Sequence, residues 1–181
     1  TIKSGMIDWK KTFSEARLFH WSGITSAVSQ GAAEVTNEAV EEAAREGITI
    51  SCDINYRANL WKYGKDAHDV LLPIAQKSDI VFGTADEWKL ITGITPPDFK
   101  ATTPDYPIDS AAYKEYFGKA SKILPKAKKM IVALRNTLSA NHHLLSGVIF
   151  ADGKLYTTRI YDIDDVLDPM GVGDAFIAAY L

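Results

Sequence analysis

Short apolar runs alternate with amphipathic stretches along most of the chain. Arg17-Leu-Phe-His-Trp21 is brief and mostly apolar, the pattern of a buried strand. A Ser/Gly/Thr stretch follows. Over 36–45, Ala39, Val40, Ala43 and Ala44 then recur at helical spacing, with Glu38, Glu41 and Glu42 mainly on the other face. Gly47 is placed to cap that helix. The β-branched run 48–53 predicts a second buried strand. A helix is predicted over 66–77, with Val70, Leu71, Ile74 and Ala75 as its apolar face. Pro73 within it predicts a kink or a later start. Residues 79–82 predict a strand and 86–91 a helix.

Residues 92–109 hold four prolines and no periodicity, so a surface loop longer than the usual connection is expected, the Pro-rich part being 95–109. A helix over 110–122 and a buried strand over 130–134 come next. The stretch 147–158 alternates around Asp152-Gly153, the dipeptide favoured in tight hairpins. Strands and helices in alternation predict an α/β domain with a mainly parallel sheet flanked by helices, and the hairpin adds antiparallel strands at one edge. Ligands in such sheets bind at the rim formed by the strand C-termini. Asp53, Thr84, Arg135 and the glycine-rich turn near the C-terminal end all follow predicted strands, so they are expected on one rim.

Composition narrows the function. With 46% hydrophobic and 24% charged residues the chain has the balance of a soluble globular domain. A net charge of −3 opposes a broad basic surface for nucleic acid, and the Lys119–Lys129 stretch reads as the solvated face of a helix. No apolar run approaches the ~20 residues of a membrane span. The single cysteine, Cys52, sits in a strand-like run, which predicts an inert buried thiol and suits a reducing cytoplasm.

Candidate chemistry concentrates in the last residues, Asp168-Pro-Met-Gly171-Val172-Gly173-Asp174-Ala-Phe. Glycines before an apolar helical run let successive amides converge, and a helix N-terminus adds unpaired N–H groups and a positive dipole end. That is a cradle for phosphate. Asp174 within it has two readings. It is an ordinary cap, or a base that takes a proton from a hydroxyl attacking the phosphoryl group held there.

Asp53-Ile-Asn55-Tyr-Arg57 leaves a strand with polar residues at alternate positions. Arg57 offers a planar fork for carboxylate or phosphate, unless it simply pairs with Asp53. Thr84-Ala-Asp-Glu87 is a capping box. His20, His68, His142 and His143 lack metal-ligand spacing with acidic or cysteine partners, and Trp9, Trp21, Trp61 and Trp88 read as packing anchors.

The Asp-x-x-Gly-x-Gly-Asp-Ala-Phe string resembles that of PfkB (ribokinase-like) carbohydrate kinases. Asp53-x-Asn55-x-Arg57-x-x-Leu60-Trp61, Phe19-His20-Trp21-Ser22-Gly23-Ile24-Thr25 and Leu134-Arg135-x-Thr137-x-Ser139-Ala140-Asn141-His142 resemble the 2-keto-3-deoxygluconate kinase subgroup. The resemblance runs from about Arg17 to Leu181. It implies ATP-dependent phosphorylation of a sugar acid in the cytoplasm, with Asp174 as general base and the Gly171, Val172 and Gly173 amides as anion hole. It places Asn55 and Arg57 at the nucleotide phosphates, Arg57 and Asp174 at the substrate, and Arg135 and Ser139 in a nucleotide-side loop. Glu87 would organise Mg²⁺ from its outer shell, although Thr84 stands where the family has Asn. A monovalent cation is associated with the start of the glycine string in some members. Here Asp168 keeps a carboxylate, but Pro169-Met170 replaces the frequent Thr-Thr and Val172 replaces a small residue.

The resemblance also implies a homo-oligomer and no nucleic-acid or membrane partner. Residues 1–181 are expected to be part of one ribokinase-like domain truncated at both ends, with the lid missing and the isolated piece inactive. A kinase for another sugar such as fructose, or a non-catalytic binding module on the same fold, are the rival readings.

Overall fold

The structure is a computed structural model that describes residues 2–181. A short helix α1 (Trp9–Phe13) precedes strand β1 (Leu18–Ser22), and helices α2 (Gly23–Val28) and α3 (Gln30–Arg45) lead to β2 (Thr49–Asp53). A single 3₁₀ turn (Ala58–Leu60) and α4 (Ala67–Ala75) lead to β3 (Ile80–Thr84). Then come α5 (Ala85–Thr92), α6 (Ser110–Ile123) and β4 (Lys129–Ser139). The chain closes with β5 (His142–Ala151), β6 (Lys154–Thr157), β7 (Tyr161–Ile163) and α7 (Val172–Tyr180).

The seven strands form one mixed sheet in the order β1-β2-β3-β4-β5-β6, with β7 also on β5. β1 to β4 are parallel, and β5, β6 and β7 join antiparallel. This is the α/β architecture with an antiparallel edge that the alternation predicts. The Asp152-Gly153 hairpin is present, both residues having positive φ (51° and 71°) as a tight primed turn requires.

One sheet face carries Trp21, Ile50, Cys52, Val81, Met130, Val132 and Val148 against α3, α4, α5 and α6. Trp88 anchors this layer. It is fully buried, donates Nε1–H to the Ile131 carbonyl at 2.8 Å, and meets Tyr116 and Phe117 edge-on. On the other face Ile80, Phe82 and Ile131 receive Ile177, Phe176 and Tyr180 of α7. Burial pushes the Cys52 thiol well up, which keeps it inert.

Four expectations change. Helix α3 begins at Gln30 rather than 36, because Ser29 caps it by accepting from Ala32 N at 3.1 Å. Helix α4 does not start later but begins at Ala67, capped by Asp66, and runs through Pro73, which has no N–H to give to the Asp69 carbonyl. The segment after Leu134 is no loop, since β4 continues to Ser139 and pairs with β5. Finally, the Pro-rich segment has no regular structure but is pinned. Ala101 is buried with Leu144 and Ile160, its carbonyl accepts from Asn136 Nδ2, and the Tyr113 hydroxyl donates to the Pro97 carbonyl.

The rim depends on a close approach at Gly23, where a Cβ would lie 2.1 Å from the Ile54 carbonyl oxygen. The first turn of α2 therefore rests directly on the chain leaving β2. Gly23→Ala should cost about 3 kcal/mol through overpacking against backbone, read as a lower urea midpoint with an unchanged m-value.

Candidate active site

Three rim segments meet here. The chain leaving β2 carries Asp53, Asn55 and Arg57; the β3–α5 junction carries Thr84 and Glu87; the first turn of α7 carries Gly173 and Asp174. Asp53, Asn55, Arg57, Thr84, Glu87 and Gly173 line one cavity of about 110 Å³, floored by Phe82, Phe176 and Ile177.

Glu87 is the hub. The capping box is complete, with Thr84 Oγ1 accepting from Glu87 N at 3.4 Å and Glu87 Oε2 accepting from Thr84 N at 2.7 Å; Oε2 also lies 3.0 Å from the Thr84 hydroxyl. Its other oxygen accepts from Tyr56 N at 2.9 Å and lies 3.7 Å from Arg57 Nη1. The same carboxylate thus starts α5 and ties down the Asp53–Arg57 segment. Arg57 keeps most of its donors free, spending one on the Tyr56 carbonyl at 2.9 Å. Its side chain is more than half exposed at the cavity mouth.

Asn55 holds a left-handed conformation (φ 39°), which Asn tolerates better than most residues, and its Oδ1 is buried without a partner. Asp53 is half-buried at the end of β2. Desolvation first, then the neighbouring Glu87 and Asp174 carboxylates, push its pKa up to about 7, against partial relief from the Asn55 amide and Arg57. The sequence reading noted Asp53 as the start of its motif but assigned it no role. A carboxylate at a strand end, two residues before Asn55, was the available signal.

Helix α7 opens at Gly171 in the left-handed region (φ 78°). Ala175 N donates to the Gly171 carbonyl at 2.8 Å, so the intrahelical ladder begins there. The amides of Val172, Gly173 and Asp174 precede that first bond and face outward at the positive end of the dipole. Asp168 Oδ1 accepts from Met170 N at 2.9 Å and shapes the approach to the turn. Asp174 is exposed in the first turn of α7.

Arg135 lies outside this cavity. It separates two further hollows, one of about 410 Å³ bounded by Thr84, Lys89, Phe99 and Leu134 and one of about 430 Å³ bounded by His143, Leu145, Asp168 and Val172. The first shares Thr84 and Ala133 with the small cavity, so together they form one groove along the rim. Ser139 is not brought in. It sits exposed at the β4–β5 tip, donating to Asn141 Oδ1 at 3.0 Å, and lines none of these hollows.

The histidines divide. His143 is buried against Thr137 Oγ1, and His142 pairs with Asp162 on the opposite side, both structural. His68 does have acidic neighbours, contrary to the spacing argument. Its ligand atom lies within 4.8 Å of those of Asp66 and Asp69. However, Asp66 is committed to capping α4, and the electropositive helix start opposes a cation there.

The acidic pair Asp53–Glu87 is suited in chemistry to a hard divalent cation, whose oxygen-ligand preference it matches. Glu87 has already spent both oxygens on backbone and hydroxyl donors, which favours contact through water. Asp53 has the freer carboxyl, and its raised pKa marks a local excess of negative charge.

Residues 3–181 match the family described as pfkB family carbohydrate kinase. A 2-dehydro-3-deoxygalactonokinase of Haloferax volcanii is 25% identical over 92% of this chain and 44% of its own length. A probable chloroplastic fructokinase of Arabidopsis thaliana is 24% identical over 92% of this chain and 37% of its own. The crystal structure of the Thermotoga maritima 2-dehydro-3-deoxygluconokinase superposes with a TM-score of 0.81 at 28% identity, over 96% of this chain and 50% of that one. This chain therefore spans half or less of the length of these relatives. No described helix is long and apolar enough to cross a membrane.

A group whose folded pKa is raised, as at Asp53, favours the fold in its neutral form. That contribution is full below about 3.8 and is lost as pH climbs to about 7. Asp53→Asn should therefore unfold later than wild type at about pH 8 and show a flatter stability profile between those values. The expected gain is about 2 kcal/mol after allowing for solvent screening, measured by urea unfolding at both ends of the range.

Proposed function

Because this chain belongs to the pfkB family of carbohydrate kinases, we propose that the protein transfers the γ-phosphoryl group of ATP to a hydroxyl of a sugar acid. 2-Keto-3-deoxygluconate is the leading acceptor, phosphorylated at its primary hydroxyl. The observation that carries this reading is the meeting of a free helix N-terminus, a flanking aspartate and an arginine-bearing acidic cavity at one rim. Relatives named for 2-keto-3-deoxy sugar acids support the acceptor class.

In this reading Asp174 takes the proton of the attacking hydroxyl. The amides of Val172, Gly173 and Asp174 donate to the charge building on the transferred phosphoryl oxygens, and the Gly171 turn lets them converge. Arg57 donates from the cavity mouth to a phosphate oxygen or to the acceptor's carboxylate. Asn55 fixes a phosphate or hydroxyl beside it. Arg135 contributes positive charge further along the groove, towards the nucleotide. Ser139 belongs to the nucleotide side only if the β4–β5 tip folds inward. Mg²⁺ held between Asp53 and, through water, Glu87 would supply charge neutralisation for the phosphates.

The fructokinase relative favours a second reading, a neutral-sugar acceptor. In that case Arg57 serves phosphate alone.

The deciding experiment is ATP-dependent phosphorylation by the full-length protein of 2-keto-3-deoxygluconate, 2-keto-3-deoxygalactonate, fructose and ribose. Preference for a keto-deoxy acid is expected. A neutral-sugar preference moves the assignment to the second reading, and no turnover on any of them refutes the kinase reading. Asp174→Asn is expected to lower kcat by about 10³-fold with little change in melting temperature.

Mg²⁺ should raise the melting temperature more at about pH 8, where Asp53 is ionised, than at about pH 5. Asp53→Asn should abolish that difference. Equal Mg²⁺ effects at both pH values would exclude Asp53 as a ligand.

A further inference from the structure

Strand β4 pairs with β3 as far as Ala133 and beyond that only with β5. The two strands thus leave the sheet as a ribbon that runs past the first turn of α7. Residues two apart on a strand share a face, so Arg135 and Thr137 continue the side on which Ile131 meets α7. Opposite them on β5 stand Leu145, paired with Arg135, and His143, paired with Thr137. Arg135 and His143 are therefore diagonal neighbours, within reach of a long side chain.

The contact between them has a specific form. Arg135 Nη2 lies 3.4 Å from His143 Nδ1 and 3.3 Å from Nε2. Both ring nitrogens direct their lone pair or N–H within the ring plane, and Cε1 stands between them. A guanidinium nitrogen equally near both cannot approach in that plane without striking Cε1. It lies over the ring face, so the contact is a stack rather than a hydrogen bond. The ring itself is fixed. His143 is buried, and its Nδ1 is 3.1 Å from Thr137 Oγ1. Arg135 by contrast is exposed, and among the described residues it forms no ion pair. The imidazole face is what holds this guanidinium in place, and its charge remains uncompensated.

The place matters because of what surrounds it. Arg135 lines both larger hollows, the one walled by the Pro-rich segment and the apolar one. His143 and Val172 line the apolar hollow with it. Val172 supplies the first of the outward amides of α7, so the guanidinium and that helix start face one shared space. A ligand extending from the α7 amides into either hollow passes Arg135.

We propose that His143 is a positioning residue for Arg135: its buried ring face shelves the guanidinium at the junction of the hollows, pre-set to bind the phosphates of a nucleotide. The inference rests on the reading of this groove as a nucleotide site. A free arginine loses much rotamer freedom when it grips an anion, whereas one already stacked on a fixed ring has lost that freedom beforehand. His143 thus acts on phosphate affinity without touching the ligand.

The test is a double-mutant cycle in the full-length protein, read by calorimetric binding of ADP and of adenosine. His143→Leu keeps similar bulk without a ring face, and should weaken ADP about tenfold while leaving adenosine unchanged. His143→Phe restores a face for stacking and should bind ADP within about twofold of wild type. Arg135→Gln should match His143→Leu or exceed it, and adding His143→Leu to Arg135→Gln should cost nothing further. In the phosphorylation assay His143→Leu should raise KM for ATP about tenfold and leave kcat within about twofold. Should leucine not be accommodated, His143→Gln, which still reaches Thr137 Oγ1 but has no ring, takes its place. Losses that multiply in the double variant, equal losses in the Leu and Phe variants, or adenosine weakened as much as ADP would each overturn the proposal. Wild-type protein that binds no ADP would sink the nucleotide reading and this inference together. Normal ADP binding that is indifferent to His143 would remove this inference alone.

Discussion

The carboxylate of Glu87 holds the site together. It is nearly buried, and it accepts from the backbone amide and hydroxyl of Thr84 at the start of α5 and from the amide of Tyr56. Hydrogen bonds to a charged group contribute about 1.5–3 kcal/mol each, so this side chain fixes the geometry of two separate segments at once. Asp53 is held by the β2 ladder, whereas Asn55 and Arg57 lie beyond it on the segment that Glu87 ties down through Tyr56. A helix cap and a chemically active residue are here one group, and the backbone bonds leave Glu87 suited to reach a cation through water.

The third segment is placed by packing. Phe176 and Tyr180 present their edges to Phe82 with centroids 6.5 and 5.3 Å apart, and Ile177 enters the same cluster. These contacts set the position of α7, hence of its outward amides and Asp174. Their reward is hydrophobic burial, while its consequence is electrostatic. Burial first, and then the neighbouring carboxylates of Glu87 and Asp174, raise the Asp53 pKa to about 7. Such crowding costs stability and favours whatever brings positive charge, whether Arg57 already at the mouth or a divalent ion.

The α/β class, the mainly parallel sheet and the hairpin were legible in the sequence because they follow from local periodicity and turn chemistry. The Thr84–Glu87 box was legible for the same reason, each partner lying within one helical turn. Longer-range pairing was not. The extension of β4 to Ser139 depends on a partner strand in β5, which no periodicity in 135–139 announces. Capping by Ser29 was hidden in a stretch of small polar residues. The Pro-rich segment read as loose surface because its buried anchor, Ala101, gains its environment only from Leu144 and Ile160.

The sequence by itself determined the strand and helix order, the glycine-to-helix turn at Gly171–Asp174 and the side-chain chemistry available at each strand end. These are local, set by backbone preferences and residue type over a few positions. Only the tertiary structure decided that Glu87 bonds to Tyr56, that Arg135 stands between two hollows while Ser139 stays outside, and that Asp53 and Gly173 line one cavity. Each of those depends on strand register and helix docking. They join residues tens of positions apart, and their energies come from burial that no local window contains.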